Sequence, residues 1–274
     1  MKNIFNFILP LVFIVSCSME ESNDVSNETV EDRLSKVFYT EFMPCTAGPD
    51  YTSENMTSMI AEWQKLLTNE NLQGVWGYAP AVATNSFPDN GWWEIQWGSK
   101  EEAQEAWSEW SQNKEAAEWN EKYASVLQCD ESLINGFESI FPIASAQYSE
   151  LPDSGYFYGE VHICELNDGS TQEEAISFLS GFTEAVANAD YSDTSYHLGN
   201  YFNVDESGGF LWANFTNSEE SMNKANISFE ASVRETMFPI FSTFASCGEV
   251  PDLYHGFTLY NADDKDFMPT FPSN

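Results

Sequence analysis

The octapeptide Phe38-Tyr39-Thr40-Glu41-Phe42-Met43-Pro44-Cys45 recurs as Phe157-Tyr158-Gly159-Glu160-Val161-His162-Ile163-Cys164, with Phe, Tyr, Glu and Cys at matching places. Three further blocks recur in the same order. Gly91-Trp92-Trp93-Glu94-Ile95-Gln96-Trp97 aligns without a gap on Gly209-Phe210-Leu211-Trp212-Ala213-Asn214-Phe215, and Lys100-Glu101-Glu102 aligns on Ser218-Glu219-Glu220. Cys129, ahead of Asn135-Gly136-Phe137, answers Cys247, ahead of His255-Gly256-Phe257. The offsets stay between 118 (209 − 91) and 120 (255 − 135). Such a chain is one unit written twice, and each structural element is expected twice.

Within each copy the hydrophobic period alternates between two and 3.6. Residues 37–45 and 156–164 are short, aromatic and β-branched, as strands are. Met56, Met59, Ile60, Trp63 and Leu66-Leu67 follow at helical spacing, matched by Ala175, Phe178, Leu179 and Phe182. Ser170-Thr171-Gln172-Glu173 and Ser99-Lys100-Glu101-Glu102 read as capping boxes that open helices. The second box opens one long helix carrying Ala103, Ala106, Trp107, Trp110 and Trp119. Two strands lie between the helices (74–83 with 91–97, 195–203 with 209–215), and 135–141 and 255–261 close each copy. The order is β-α-β-β-α-β, the split βαβ or ferredoxin-like arrangement. The expected fold class is α+β, two tandem ferredoxin-like βαββαβ repeats. The repeats are expected at 36–142 and 155–262, joined by a linker at 143–154 and followed by a tail at 263–274.

Residues 1–16 hold one positive charge, Lys2, and an apolar run too short to span a bilayer, as in a secretory signal. The run ends in Ile14-Val15-Ser16-Cys17, which resembles the lipobox of bacterial lipoproteins, with Ile where that pattern favours Leu. The resemblance implies cleavage before Cys17, lipidation of that residue, and a protein of the cell envelope on its periplasmic or outer-membrane face. An ordinary signal peptide cut near Ser16 or Ser18 would export the chain equally. Residues 17–35 are polar and acidic and read as a disordered tether.

Across 274 residues the chain carries 44 acidic side chains against 10 Lys plus Arg, a formal net charge of −34. Only Arg33 and Arg234 are arginines. A surface this negative repels phosphate backbones, which excludes nucleic acid as a partner, and leaves little to clamp a large anion. The membrane is expected to be met through the lipid anchor alone. A monomer is expected, since the two repeats can pair internally.

With Cys17 assigned to the lipid, four cysteines remain, two per copy. They are separated by 129 − 45 = 84 and 247 − 164 = 83 residues. In a ferredoxin-like sheet the end of strand one lies beside the start of strand four. Disulfides Cys45–Cys129 and Cys164–Cys247 follow for an exported chain, against the alternative of free buried thiols or a metal site, which the spacing and compartment disfavour.

Two fused βαββαβ units with a Trp-rich second helix resemble the dimeric α/β-barrel superfamily, which includes antibiotic-biosynthesis-monooxygenase-like proteins. The resemblance covers most of residues 37–262 and rests on topology. It implies that the antiparallel sheets of the two repeats pack face to face as a fused dimeric α/β barrel with helices outside, and that ligands lie between sheet and helices or within the barrel. The superfamily spans oxygenases, haem-degrading enzymes, isomerases and proteins without known activity, so fold transfers better than function.

Strand alternation divides the faces. Phe38, Thr40 and Phe42, with Phe157, Gly159, Val161 and Ile163, are expected to receive the helices. Trp93, Ile95 and Trp97, with Leu211, Ala213 and Phe215, are expected on the same side. The opposite faces would meet in the space between the repeats. They carry the candidate ligand-binding residues Tyr39, Glu41, Trp92, Glu94, Tyr158, Trp212 and Asn214, and the candidate catalytic pair Glu160 and His162. Carboxylates among aromatic rings are desolvated, which raises their pKa and suits them to proton transfer. The same glutamates could equally serve only to fix sheet packing by hydrogen bonds to Tyr or Trp. His162, His197 and His255 show no local ligand spacing, so no metal is expected, and nothing in the chain calls for a cofactor. Two functional readings remain open beside a purely structural envelope scaffold. One is a binding protein for a small neutral or cationic ligand. The other is a cofactor-independent monooxygenase or isomerase with Glu160 or His162 as general base.

Overall fold

Phe38–Ala47 (β1) alternates side chains that are buried on both sides, and its ladder partners show why. It pairs antiparallel with Gly91–Trp97 (β3) on one edge and with Asn135–Ile143 (β5) on the other. The structure is a computed structural model describing residues 28–205 and 208–272. The expected signal and the expected lipidation at Cys17 fall outside the described residues. No helix among the described residues is long and apolar enough to cross a membrane.

The first half continues through Ser53–Gln64 (α2), Leu72–Pro80 (β2), and two helices after β3, Lys100–Gln112 (α3) and Lys114–Tyr123 (α4). The short Leu127–Cys129 (β4) precedes β5. The second half runs Tyr156–Leu166 (β6), Gln172–Ala187 (α5), His197–Asn203 (β7), Gly209–Thr216 (β8), Glu219–Ser228 (α6), Arg234–Phe244 (α7), Ala245–Cys247 (β9) and Asp252–Asn261 (β10). The expected long helix of the first half is broken at Asn113. Its backbone N–H donates to the Trp110 carbonyl at the end of α3, and its side-chain oxygen accepts from the Glu115 and Ala116 amides to start α4. Ser99 caps α3 through the Glu102 amide, and the box at α5 uses Thr171 with Glu174, one residue later than expected. Val30–Ser35 (α1) is a short helix in the stretch the sequence assigns to a tether. The buried Arg33 ties it down by donating to the Pro142 carbonyl (2.8 Å).

The expectation of two tandem ferredoxin-like units with separate sheets packed face to face is corrected by the strand order. Eight strands close on themselves as β10-β2-β3-β1-β5-β7-β8-β6 and back to β10, with β4 and β9 appended. The two halves therefore meet edge to edge through β5–β7 and β2–β10 in one antiparallel barrel, rather than as two stacked layers. The physical reason lies in the edges. An open four-stranded sheet leaves two rows of unpaired N–H and C=O groups, and closure pairs all of them.

Closure creates three cores. Rings contributed by all eight strands fill the barrel: Tyr78, Phe137, Phe157, Tyr201, Phe215 and Tyr254, with Phe42 and Trp92 packed against them. Phe42 meets Tyr201 edge-on at 5.2 Å between centroids, and Phe157 meets Phe215 at 5.5 Å. The outer face of β1 and β3 packs on α2, α3 and α4, and the outer face of β6 and β8 packs on α5, α6 and α7.

The disulfides Cys45–Cys129 and Cys164–Cys247 are both present. Each joins directly opposed residues, of β1 with β4 and of β6 with β9. They fasten the short appended strands, so the closing strands β5 and β10 are reached one loop later.

Candidate functional site

The strand faces differ from the sequence expectation in three of the four strands that carry it. Phe38, Thr40 and Phe42 point into the barrel, where Thr40 and Ser139 share a 2.6 Å hydroxyl hydrogen bond. Tyr39, Glu41 and Met43 point outward beneath the helices. In the second half Phe157 and Val161 point inward, and Tyr158, Glu160 and His162 point outward. β8 is likewise inverted: Ala213 and Phe215 are inside, and Trp212 and Asn214 outside. In β3 the expected faces are the observed ones.

For β1 and β6 the cause is burial on both sides, by rings within and helices without, which leaves the alternation unmarked. For β8 it is a one-residue slip in the repeat. Cys45 stands opposite Gly91 and Met43 opposite Trp93, while Cys164 stands opposite Phe210 and His162 opposite Trp212. Trp212 is therefore the counterpart of Trp93, at an offset of 119 rather than 118, and a slip of one turns every side chain to the other face. The closing strands slip further. Asn135 faces Phe42 and Asp252 faces Val161, so Asn135-Gly136-Phe137 corresponds to Asp252-Leu253-Tyr254, not to His255-Gly256-Phe257.

The expected shared gap between the repeats is thus a filled barrel, and its proposed lining is dispersed. Trp92 and Glu94 lie inside. Glu94 is fully buried and accepts a short hydrogen bond from the Tyr78 hydroxyl, and burial pushes its carboxyl up to about 7. Tyr39 lies outside near Lys100 (5.8 Å from ammonium to ring centroid), its hydroxyl pushed up to about 12 by burial and by Glu41. Glu41 is buried below α3 and accepts from two indole N–H groups, Trp97 at 3.1 Å and Trp107 at 2.6 Å. Burial raises its carboxyl above the ordinary value although both indoles oppose that. Tyr158 is buried beside His255.

Four of the candidates do converge. Glu160, His162, Trp212 and Asn214 line a cavity of about 760 Å³ between the outer face of β6 and β8 and the helices α5, α6 and α7. His162 Nε2 lies 3.1 Å from Glu160 Oε1, Asn214 Nδ2 donates to the same oxygen at 3.3 Å, and Asn226 Nδ2 donates to Oε2 at 2.9 Å. Tyr196 (2.8 Å) and the Trp212 indole (3.1 Å) in turn donate to Asn214 Oδ1, which fixes the amide's orientation. Burial would raise the Glu160 carboxyl, but His162 and the two amides outweigh it and hold the group below the usual carboxylate range. It is an ionised acceptor at neutral pH. The rest of the wall is aromatic: Phe182 meets Trp212 edge-on at 4.9 Å, and Phe178 and Phe241 complete it.

Asn226, Tyr196 and Arg234 also line this cavity, and the sequence marked none of them as a site residue. Aligning β8 on Cys45 and Cys164 at offset 119 would have matched Trp212 to Trp93 and turned it toward the helices, and with it Asn214. After α6 the backbone widens into a π-helical turn over Phe229–Val233, which places Phe229 and Glu230 at the cavity; such turns often mark functional sites. Among the described residues no group of three His, Cys, Asp or Glu is arranged to hold a metal ion. His197 lies against Phe141 and Phe215 at the barrel core, His255 pairs with Tyr156, and His162 belongs to the cavity.

No family model matches the chain, and no curated protein matches it in sequence. Solved structures do match in fold. A monooxygenase-like protein from Lactobacillus acidophilus NCFM superposes with a TM-score of 0.50 at 8% identity, covering 81% of this chain and 94% of its own. An anthrone oxidase-like protein (TM-score 0.49, 12% identity, 85% and 96% covered) and the chlorite dismutase of Candidatus Nitrospira defluvii in complex with imidazole (0.47, 14%, 86% and 96%) are weaker likenesses. At such identities the likeness is one of fold, so the chemistry of the cavity is read from this chain's own atoms.

Proposed function

We propose that the protein binds a small organic molecule in the second-half cavity, with an apolar body against Phe178, Phe182, Trp212 and Phe241 and a neutral polar end at the Glu160–His162–Asn214–Asn226 cluster. One observation carries the reading: an aromatic cavity of about 760 Å³ whose polar groups gather on one wall in a network tied together by Glu160. Ligand sites of this size are typically apolar with a few convergent polar groups. The test is native mass spectrometry of protein purified from the cells that make it. A retained small-molecule adduct is expected in the parent and lost in Ala225→Phe, which fills the cavity from α6. An adduct undiminished in the folded variant would place the ligand elsewhere.

A catalytic use of the same cavity is favoured by the contact of His162 with an ionised carboxylate, the arrangement that orients an imidazole for proton transfer. It would be cofactor-independent oxygenation or isomerisation. Glu160→Gln and His162→Ala retaining the ligand while losing turnover would mark the enzyme; no turnover in the parent leaves the binder. The envelope location is part of the same proposal, since a lipid on Cys17 would hold the barrel at a membrane surface. Acylation of a mature chain beginning at Cys17, read by mass, tests it.

A further inference from the structure

The first half carries a second cavity with different chemistry. It has a volume of about 340 Å³ and lies between the outer face of β1 and β3 and the helices α2, α3 and α4. Trp63, Trp93, Trp97, Trp107, Trp110 and Trp119 line it, six of the nine tryptophans in the chain. Trp63 and Trp93 lie 5.2 Å apart between ring centroids, Trp93 and Trp119 6.4 Å, and Trp110 meets Trp119 at 6.0 Å and 75°. The rings therefore surround the space at differing inclinations.

No Lys, Arg or His lines it; the charged residues at its walls are Glu109 and Glu131, both exposed. Glu41 sits behind two of the rings and accepts the N–H of both Trp97 and Trp107. A carboxylate on the indole N–H pushes electron density into the ring and strengthens the negative face that attracts cations. The equivalent glutamate of the second half, Glu160, instead meets His162 and two amides, and Arg234 lines that cavity.

We propose that this tryptophan-lined cavity is a cation site for a quaternary ammonium group. A primary ammonium would need three hydrogen-bond acceptors to replace its water. Of the side-chain acceptors in the lining, Glu109, Glu131, Asn120 and Gln128 are exposed at the rim, and the tryptophan wall offers none. A quaternary ammonium donates no conventional N–H hydrogen bond, is weakly hydrated and presents methyl groups to the rings, which suits an aromatic cage. The chain's charge of −34 concentrates such cations at the surface. The site is separate from the second-half cavity and does not depend on what that cavity binds.

The probe is choline, titrated against tryptophan fluorescence at constant ionic strength, beside its uncharged isostere 3,3-dimethylbutan-1-ol. The expected result is saturable quenching by choline, with the isostere weaker by about tenfold or more (about 1.4 kcal/mol). Trp110→Leu and Trp119→Leu, whose side chains are part-exposed at the cavity, should each weaken choline by about tenfold, and Ala225→Phe in the other cavity should leave it unchanged. Because a tryptophan variant could alter the optical signal, calorimetry of the same titration gives the affinities. Binding of the isostere within about twofold of choline would overturn the proposal, showing an ordinary apolar pocket. So would choline binding insensitive to both tryptophan variants, or no saturable choline binding in the parent.

Discussion

Glu94 is one buried group that contributes to the response of this protein to pH. Its carboxyl sits among Tyr78 and Tyr201 inside the barrel, where burial raises it to about 7 from an ordinary 4.5. The folded state then holds a proton that the unfolded chain has released, so stability falls as pH rises from about 4.5 to about 7 and levels off above that. The full difference is about 3 kcal/mol. Glu94→Gln should cancel this term, so that in urea unfolding the variant gains on the parent by up to about 3 kcal/mol between about pH 5 and about pH 8. A gap between the two that does not move with pH would contradict the assignment. His197 acts in the opposite sense. Burial among Phe141 and Phe215 lowers it to about 4, so its term raises stability as pH climbs from about 4 toward its unfolded value near 6.5. Glu160 is held low by its donors, so its contribution is full above the unfolded carboxyl pKa and fades as pH falls through the lowered one. Glu160→Gln would turn an –NH₂ group toward Asn226 or His162 and should cost about 1–3 kcal/mol in unfolding at neutral pH. A variant as stable as the parent would mean that the cluster is not an anchored network.

At the scale of elements, the alternation along each strand was legible, and which face is inside was not. A barrel strand is buried on both sides, by rings within and by helices without, so Phe38, Thr40 and Phe42 carry no mark that separates the barrel core from the helix layer. What could have decided it was register, and the gap-free match of Gly91–Trp97 to Gly209–Phe215 hid a shift of one residue. The cysteines were legible because their two spacings, 84 and 83, agree and because one topology brings both pairs together. Loops of that length should make each disulfide contribute about 4–5 kcal/mol. Replacing Cys164 and Cys247 together by serine should lower the unfolding free energy by an amount of that order and fray β9 first, as amide exchange would record; unchanged exchange in Ala245–Cys247 would show that the bond is not what holds that strand. The cavity wall on α6 and α7 was illegible for another reason: its shape depends on the π-helical turn over Phe229–Val233, for which no residue pattern was read.

For the molecule as a whole, duplication was plain in the sequence but the joint between the copies was not. Two units with complementary edges can stack as layers or join their edges, and both solutions bury the same rings. Edge joining wins here because β5–β7 and β2–β10 leave no row of backbone groups unpaired in the eight-stranded ring. Each half alone would expose two open edges and half of the aromatic core. Fragments 28–147 and 148–272 should therefore associate indiscriminately when made separately and form a one-to-one complex when made together, as sizing chromatography would read. A soluble, monomeric first half would contradict the closed barrel. The central functional claim is that duplication left two cavities outside the barrel and that the larger one holds the ligand. The most direct measurement is a crystal structure of the protein purified from the cells that make it. Expected is density for a small molecule between Trp212, Phe182 and the Glu160–Asn226 contact, with the barrel interior filled by its own rings. A ligand inside the barrel, or a second-half cavity collapsed onto its own Phe229 and Phe241 side chains, would contradict the account.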